Sequence, residues 1–484
     1  MQYYFDQNNV QKKMEGYKMS KKTIEDVAKN IWEYAEIRFK EYKSAEELAE
    51  YAKEAGFQVE MGIGGLETAF KATYCKGHPV IAILGEYDAL QGLSQAEDST
   101  HKEKGKQEMN GHGCGHHLLG AGALYGAEII KNYLKENNLK GTIVFYGCPA
   151  EEGGSGKTWM MKNGAFEGVD LALTWHPFPY NGVFSLATLA NYQVYFRFEG
   201  RGSHAAASPQ LGRSALDAVE LMNVGANYLR EHVIQEARFH YAVTNTGGIS
   251  PNVVQPDAEV LYLIRAPKLN QVEDIFRRIC NIARGAALMT ETKVKMVFDR
   301  GTNEYKGNKE IEKIMFKNLK KFENIEYSDE EIAYAKKFKD TLSEKEITSE
   351  FGWIEKASGK EWKNIKDMML NEYIFKGNIP YDENFNYLLS GSTDVGDVSK
   401  KMPTGQIFTT CYALGTPSHS WQMVAQGKNS IAMKGMKYAG QVLGQTAIDI
   451  FENPVLFEKI KKEFEENYEE YISPLKYDKV PVEL

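Results

Sequence analysis

The chain has 484 residues, enough for two or more domains around a large buried core. Its 58 Lys and Arg against 66 Asp and Glu leave a net charge of −8 with no basic stripe, which argues against a nucleic-acid binder. No apolar run reaches the roughly 18 residues of a membrane span, and the polar first twenty residues lack the apolar core of a secretory signal.

From Lys22 the pattern is helical, with Ile24, Val27, Ile31, Tyr34 and Ile37 at three- and four-residue steps. A second helix is expected over SAEELAEYAKEAG, with Ser44 and Glu47 as a capping box and Gly56 as its stop. Short strands follow, the last of them apolar from Val80 to Leu84 as a buried strand should be. HHLLGAGALYGAEIIKNYLKEN reads as a helix of small residues suited to close packing, GTIVFYGCPA as another buried strand, and VDLALTWHP as a strand ending at His176. This alternation predicts an α/β fold, a mixed, mostly parallel sheet with helices on both faces.

From Asn191 the order becomes β-α-β-β-α-β, the ferredoxin-like signature, and predicts an inserted domain over residues 191–301. Residues 1–190 and 302–484 then form the two parts of the catalytic domain, with 308–379 as a variable helical elaboration on its surface.

Two features invite chemistry. GGSGKT resembles a phosphate-binding loop, but the pattern requires glycine at position 151, where Glu151 would repel a phosphate. Of the ten histidines, His116, His176 and His419 stand, with Cys114 and Glu152, at predicted loop or strand-end positions. Cys114 and His116 lie in the GHGCGHH turn, Glu152 follows a strand, His176 ends one, and His419 precedes a helix. Taken singly, each has an ordinary structural explanation: a buried thiol, a hydrogen-bonded imidazole, a solvated carboxylate. Together these donors suit zinc or manganese better than calcium or magnesium. Glu151, beside Glu152, could move a proton between a metal-activated water and a leaving amine. In extended chain the two carboxylates would point oppositely, so a turn at Gly153-Gly154 is needed to bring them to one site. The five cysteines, irregularly spaced, fit reduced thiols in a cytoplasm.

GEYDALQGLSQ, NGHGCGHHLLG, FYGCPAEEGGSGKT, LTWHP, GRGSHAAASP, SPNVVQPDAEV, GSTDVGDVS and PSHSWQ, spread over about residues 80–425, resemble the dinuclear aminoacylase/carboxypeptidase-type metallopeptidases. The similarity is to the amidohydrolase branch that includes hippurate and indole-acetyl-amino-acid hydrolases. The resemblance implies two divalent ions, Mn2+ or Zn2+, on Cys114, His116, Glu152, His176 and His419, with Glu151 as general base. It implies that Asp88 orients a metal ligand, that His240 reaches across a dimer interface to an oxyanion, and that Asn252 and Arg265 hold the substrate's amide oxygen and carboxylate. The inserted domain becomes a lid and dimerisation domain. The implied substrate is an N-acyl amino acid, p-aminobenzoyl-glutamate first, with other acyl amino acids or dipeptides as the alternative. A homodimer is implied, or a complex with a related second subunit. Two departures stand out: Glu86 occupies the position where many relatives carry a histidine, and His117 one where branch members often carry Asp.

Overall fold

The computed structural model describes residues 22–106 and 109–476; the first twenty residues, where no secretory signal is expected, lie outside them. Helix α1 (Ile24–Tyr34) starts at Thr23, whose side chain and that of Asp26 cap each other's backbone N–H, and stops at left-handed Ala35, so Ile37 falls beyond it. Helix α2 (Tyr42–Glu54) begins two residues before the expected cap. The Ser44–Glu47 box does not form. Glu36 accepts the N–H groups of Lys43 and Ser44, while Glu47 is taken by Lys22 and Asn30.

The strands of the two larger sheets, in chain order, are β1 (Gln58–Met61), β2 (Phe70–Tyr74), β3 (Val80–Glu86), β4 (Thr142–Cys148), β5 (Leu171–Phe178), β6 (Gly182–Val183), β7 (Ala190–Glu199), β8 (Arg238–Asn245), β9 (Asp257–Ala266), β10 (Lys293–Thr302) and β11 (Thr404–Thr410). The larger sheet has the order β1-β2-β4-β3-β5-β11-β6. Its four central strands are parallel and the outer ones antiparallel. Register aligns Glu86 with Cys148 and His176 with Phe408, so the carboxyl ends of β3, β4 and β5 stand side by side, where α/β sheets place their sites.

Helix α3 (His116–Asn137) packs on one face, and helix α4 (Gly156–Lys162) puts Trp159 and Met160 into the core on the other. In the second sheet, of order β8-β9-β7-β10, all pairs are antiparallel. Helices α5 (Ala215–Leu229) and α6 (Leu269–Met289) complete a β-α-β-β-α-β order and share a core with Val194, Phe196, Val260 and Tyr262. The other face of that sheet carries Gln193, His240, Arg265 and Arg300, by register and alternation.

Helix α7 (Lys309–Lys321), expected to begin a surface elaboration, instead buries Ile311, Met315 and Leu319 in the main core, because its apolar stripe fits between β11 and the later helices. The peripheral helices come after it, between Asp329 and Asn371, and Trp353 anchors them edge-on to Tyr180 at 5.6 Å. Helix α8 (Val395–Lys401) joins α4 on its face of the larger sheet. Helix α9 (Ser430–Glu452) crosses α3 at a glycine contact: a Cβ on Gly440 would stand 2.9 Å from the Gly122 carbonyl oxygen.

Glu312 of α7 accepts a hydrogen bond from the Tyr381 hydroxyl at 3.1 Å, and burial pushes its carboxyl from the usual 4.5 up to about 8. The folded state therefore binds this proton more tightly than the unfolded one, and the group's contribution to stability falls as pH rises from about 4.5 to about 8. Urea unfolding at both ends of that window should show Glu312→Gln gaining on the parent as pH rises; a constant difference contradicts the shift.

Candidate metal centre

The GHGCGHH turn works because Gly115 is left-handed, φ 76°, and has no Cβ; one there would collide with the Tyr412 hydroxyl and Pro177. The turn sets Cys114 just before α3 and His116 and His117 in its first turn. These two imidazoles go separate ways. His117 bonds through Nε2 to the Gly427 carbonyl at 2.8 Å, and His112 similarly to Ile31 at 3.0 Å. Burial holds His112 down at about pKa 3, so His112 and His117 are neutral structural residues.

His116 turns inward. Its Nδ1 lies 2.8 Å from Asp88 Oδ1, and Asp88 Oδ2 accepts the Glu152 N–H at 2.9 Å. One carboxylate thus fixes an imidazole ring and the start of the Glu151–Gly154 helical turn. That turn is what extended chain could not supply: it brings both carboxylates to one side. It follows Ala150, which is left-handed at φ 59° and whose N–H is held by Glu41 Oε1 at 2.9 Å. Glu41 also accepts from Phe39 N–H and the Thr68 hydroxyl, and burial followed by the nearby Asp88 raises its carboxyl to about 8. His419 is a second left-handed residue, φ 58°, its N–H donating to the Gly113 carbonyl at 2.7 Å. Strained backbone of this kind gathers at functional sites.

The donor atoms converge. Cys114 Sγ lies 3.3 Å from His176 Nε2, and those two with a His116 nitrogen lie within 4.8 Å of one another. Within the same distance lie donor atoms of Cys114, Glu152 and His419, and of Glu86, His116 and Glu151. Cys114 belongs to both thiol-containing groups. Hydrogen bonds to Cys114 and Glu152 raise His419 to about 11; burial opposes ionisation of Glu152, but His419 and His116 bring it down to about 2. His116 Nε2 and Glu152 Oε1 are buried, and each faces one charged neighbour at 3.2 Å, Glu86 Oε2 and His419 Nε2 respectively. Buried imidazole and carboxylate atoms beside a thiol and further imidazoles fit divalent ions with sulfur, nitrogen and oxygen ligands.

The structure gathers Glu151, Glu152, Cys114, His116, His176, His419 and Asp88. It does not gather His240, exposed on β8, or Asn252, exposed in a loop; Arg265 is half-buried on β9. His204 lies outside the cluster, its Nδ1 accepting the N–H groups of Ala206 and Ala207.

Sequence reasoning missed three residues. Lys157, the lysine of GGSGKT, is fully buried, with Nζ 2.5 Å from Glu86 Oε1 and 2.6 Å from Asp394 Oδ1. Glu86 Oε2 in turn lies 3.2 Å from His116 Nε2. The signal was the departure from histidine at position 86, which puts an acid where a buried cation can meet it.

The chain matches peptidase family M20/M25/M40 over residues 82–420. It is a member of that family. One of the subunits of the Escherichia coli p-aminobenzoyl-glutamate hydrolase is 47% identical over 442 residues, 91% of this chain and 92% of that protein. The mouse Xaa-Arg dipeptidase is 26% identical over 90% of this chain and 88% of its own. In fold the M20 member resembles the Klebsiella pneumoniae aminobenzoyl-glutamate utilization protein, with a TM-score of 0.55 at 15% identity over 88% of this chain and 95% of that one. It also resembles a dinuclear metal-binding M20 peptidase of Bacillus subtilis, with a TM-score of 0.53 at 16% identity, over 89% and 98%. The M20 member is a metal-dependent amidohydrolase.

Proposed function

We propose that the chain hydrolyses p-aminobenzoyl-glutamate to p-aminobenzoate and glutamate, at a centre of two divalent ions, manganese or zinc. The observation that carries the reading is the pair of three-donor groups sharing Cys114, with Glu151 beside them. The 47% identity to a subunit of the Escherichia coli hydrolase supports the substrate. Cys114, His116, Glu152, His176 and His419 would hold the ions, which when bound acidify water and polarise a carbonyl.

Glu151 takes the proton of the attacking water and returns it to the leaving amine. Asp88 keeps the His116 ring and the Glu152 backbone in place. Arg265 holds a substrate carboxylate, Asn252 the amide oxygen, and His240 of a second copy the developing oxyanion. Residues 191–301 act as the ferredoxin-like lid and dimerisation domain. In support, β8 is an edge strand, and it exposes Tyr241 and Val243. The naming of the relative as a subunit supports a related second chain as the other arrangement. Among the described residues no helix is long and apolar enough to cross a membrane, and the reading places the enzyme in the cytoplasm. The dipeptidase relatives support dipeptides or other acyl amino acids as the second substrate class.

The test is a substrate panel. Protein stripped by a chelator should lose activity and regain it with Mn2+ or Zn2+. The restored enzyme should prefer p-aminobenzoyl-glutamate over acetyl amino acids and dipeptides by at least about tenfold in kcat/KM, the equivalent of about 1.4 kcal/mol. A dominant preference for another amide overturns the substrate; activity untouched by chelation overturns the metal centre.

A further inference from the structure

The open face of the second sheet holds two arginines with no acid to meet. Arg265 of β9 pairs in register with Asn191, and Arg300 of β10 with Gln193, on opposite sides of β7. Their backbones are thus second neighbours in the sheet and two residues out of line, roughly 12 Å apart, a gap two arginine side chains can close. The charges sense each other: burial lowers the pKa of Arg265, and the Arg300 guanidinium lowers it further. The nearest acid in sequence, Asp299, is already committed. Its Oδ1 lies 2.5 Å from Arg38 Nη2, and its Oδ2 2.6 Å from Gln193 Nε2.

Arg300 is left with two long hydrogen bonds, both 3.4 Å, one from Nη1 to the Glu151 carbonyl and one from Nη2 to Gln193 Oε1. The Nε atoms of Arg265 and Arg300 are both buried with no partner. Among the described residues neither guanidinium has a carboxylate within ion-pair reach. Holding two like charges together, partly stripped of water, is unfavourable unless an anion joins them. The Glu151 contact places the Arg300 guanidinium against the backbone of the proposed base.

One guanidinium is enough for the single carboxylate of an acyl amino acid. We propose that Arg265 and Arg300 form a two-armed receptor for a dicarboxylate, each arm taking one acid group of an acyl amino acid with an acidic side chain. This rests on the amidohydrolase reading and identifies Arg300 as the residue that distinguishes an acidic from a neutral amino-acid portion. A planar fork suits each carboxylate, so lysine is an incomplete substitute.

The experiment compares metal-loaded parent, Arg300→Gln and Arg300→Lys on p-aminobenzoyl-glutamate and p-aminobenzoyl-alanine, with calorimetric binding of glutarate and butyrate alongside. Arg300→Gln should raise KM for the glutamate substrate by about 10- to 100-fold, the worth of one charge-assisted hydrogen-bonded contact. It should leave the alanine substrate within about threefold and weaken glutarate but not butyrate; Arg300→Lys should fall between. Equal losses on both substrates, with equal loss of both acids, would make Arg300 a strut for the Glu151 turn and overturn the receptor. So would an unchanged glutamate preference, or a parent that binds glutarate no better than butyrate. If the parent cleaves neither amide yet loses glutarate selectivity in Arg300→Gln, the amidohydrolase reading fails and the receptor stands.

Discussion

Glu151→Gln protein keeps its fold and its metal and loses amide hydrolysis by about 10²- to 10⁴-fold in kcat, the usual worth of a positioned acid–base group. The amide has the shape of the carboxylate but no proton affinity, so the water is left without a base and the amine without an acid. Geometry supports the proposed role: a carboxylate oxygen stands within 4.8 Å of donor atoms of His116 and Glu86. Burial, then the charges of Glu86, Asp394 and Glu152, lift its carboxyl above the ordinary range, which favours the protonated form that returns a proton to the amine. Single-turnover kinetics and metal analysis on the same preparation check the result. Parental turnover with full metal content removes Glu151 from the mechanism.

Lys157→Met destabilises the fold by about 3–5 kcal/mol, the cost of removing one partner from a buried ionic group. Burial disfavours the ammonium, but Asp394 and Glu86 hold it charged far above the usual range. Without it two carboxylates face each other in the core; both are less than 4% exposed. The urea midpoint should drop. Combining the change with Glu86→Gln and Asp394→Asn should recover part of the loss, because no uncompensated charge then remains. A midpoint unmoved by the single substitution contradicts the buried cluster.

The α/β alternation and the second unit's element order were legible because buried strands and amphipathic helices carry their periods locally. The clustering of Cys114, His116, Glu152, His176 and His419 was legible because all five sit at or beside element ends, where α/β sheets gather their sites. The Ser44–Glu47 cap was misread because Glu36, eight residues before Ser44, competes for the same donors. The burial of Lys157 was not legible because its partners, Glu86 and Asp394, lie 71 and 237 residues away. Helix α7 was taken for surface because its Lys and Glu content hides a narrow apolar stripe. Charge pairing across such spans has no local period, and neither does the convergence of Arg265 and Arg300.

The long-range pairings also set an order of events during synthesis. Lys157 meets Asp394, Thr158 meets Asp397, Trp32 donates to the Val424 carbonyl and His117 to that of Gly427. A nascent chain that has emerged only to about residue 390 holds a buried-type lysine, a threonine, an indole and an imidazole whose counterparts are still inside the ribosome. Such a chain also lacks His419, so one of the two thiol-containing donor groups is incomplete. If both groups hold ions as proposed, their loading is a late event, coupled to release of the last stretch of polypeptide. Fragments cut before residue 394 should be ready clients for chaperones and proteases.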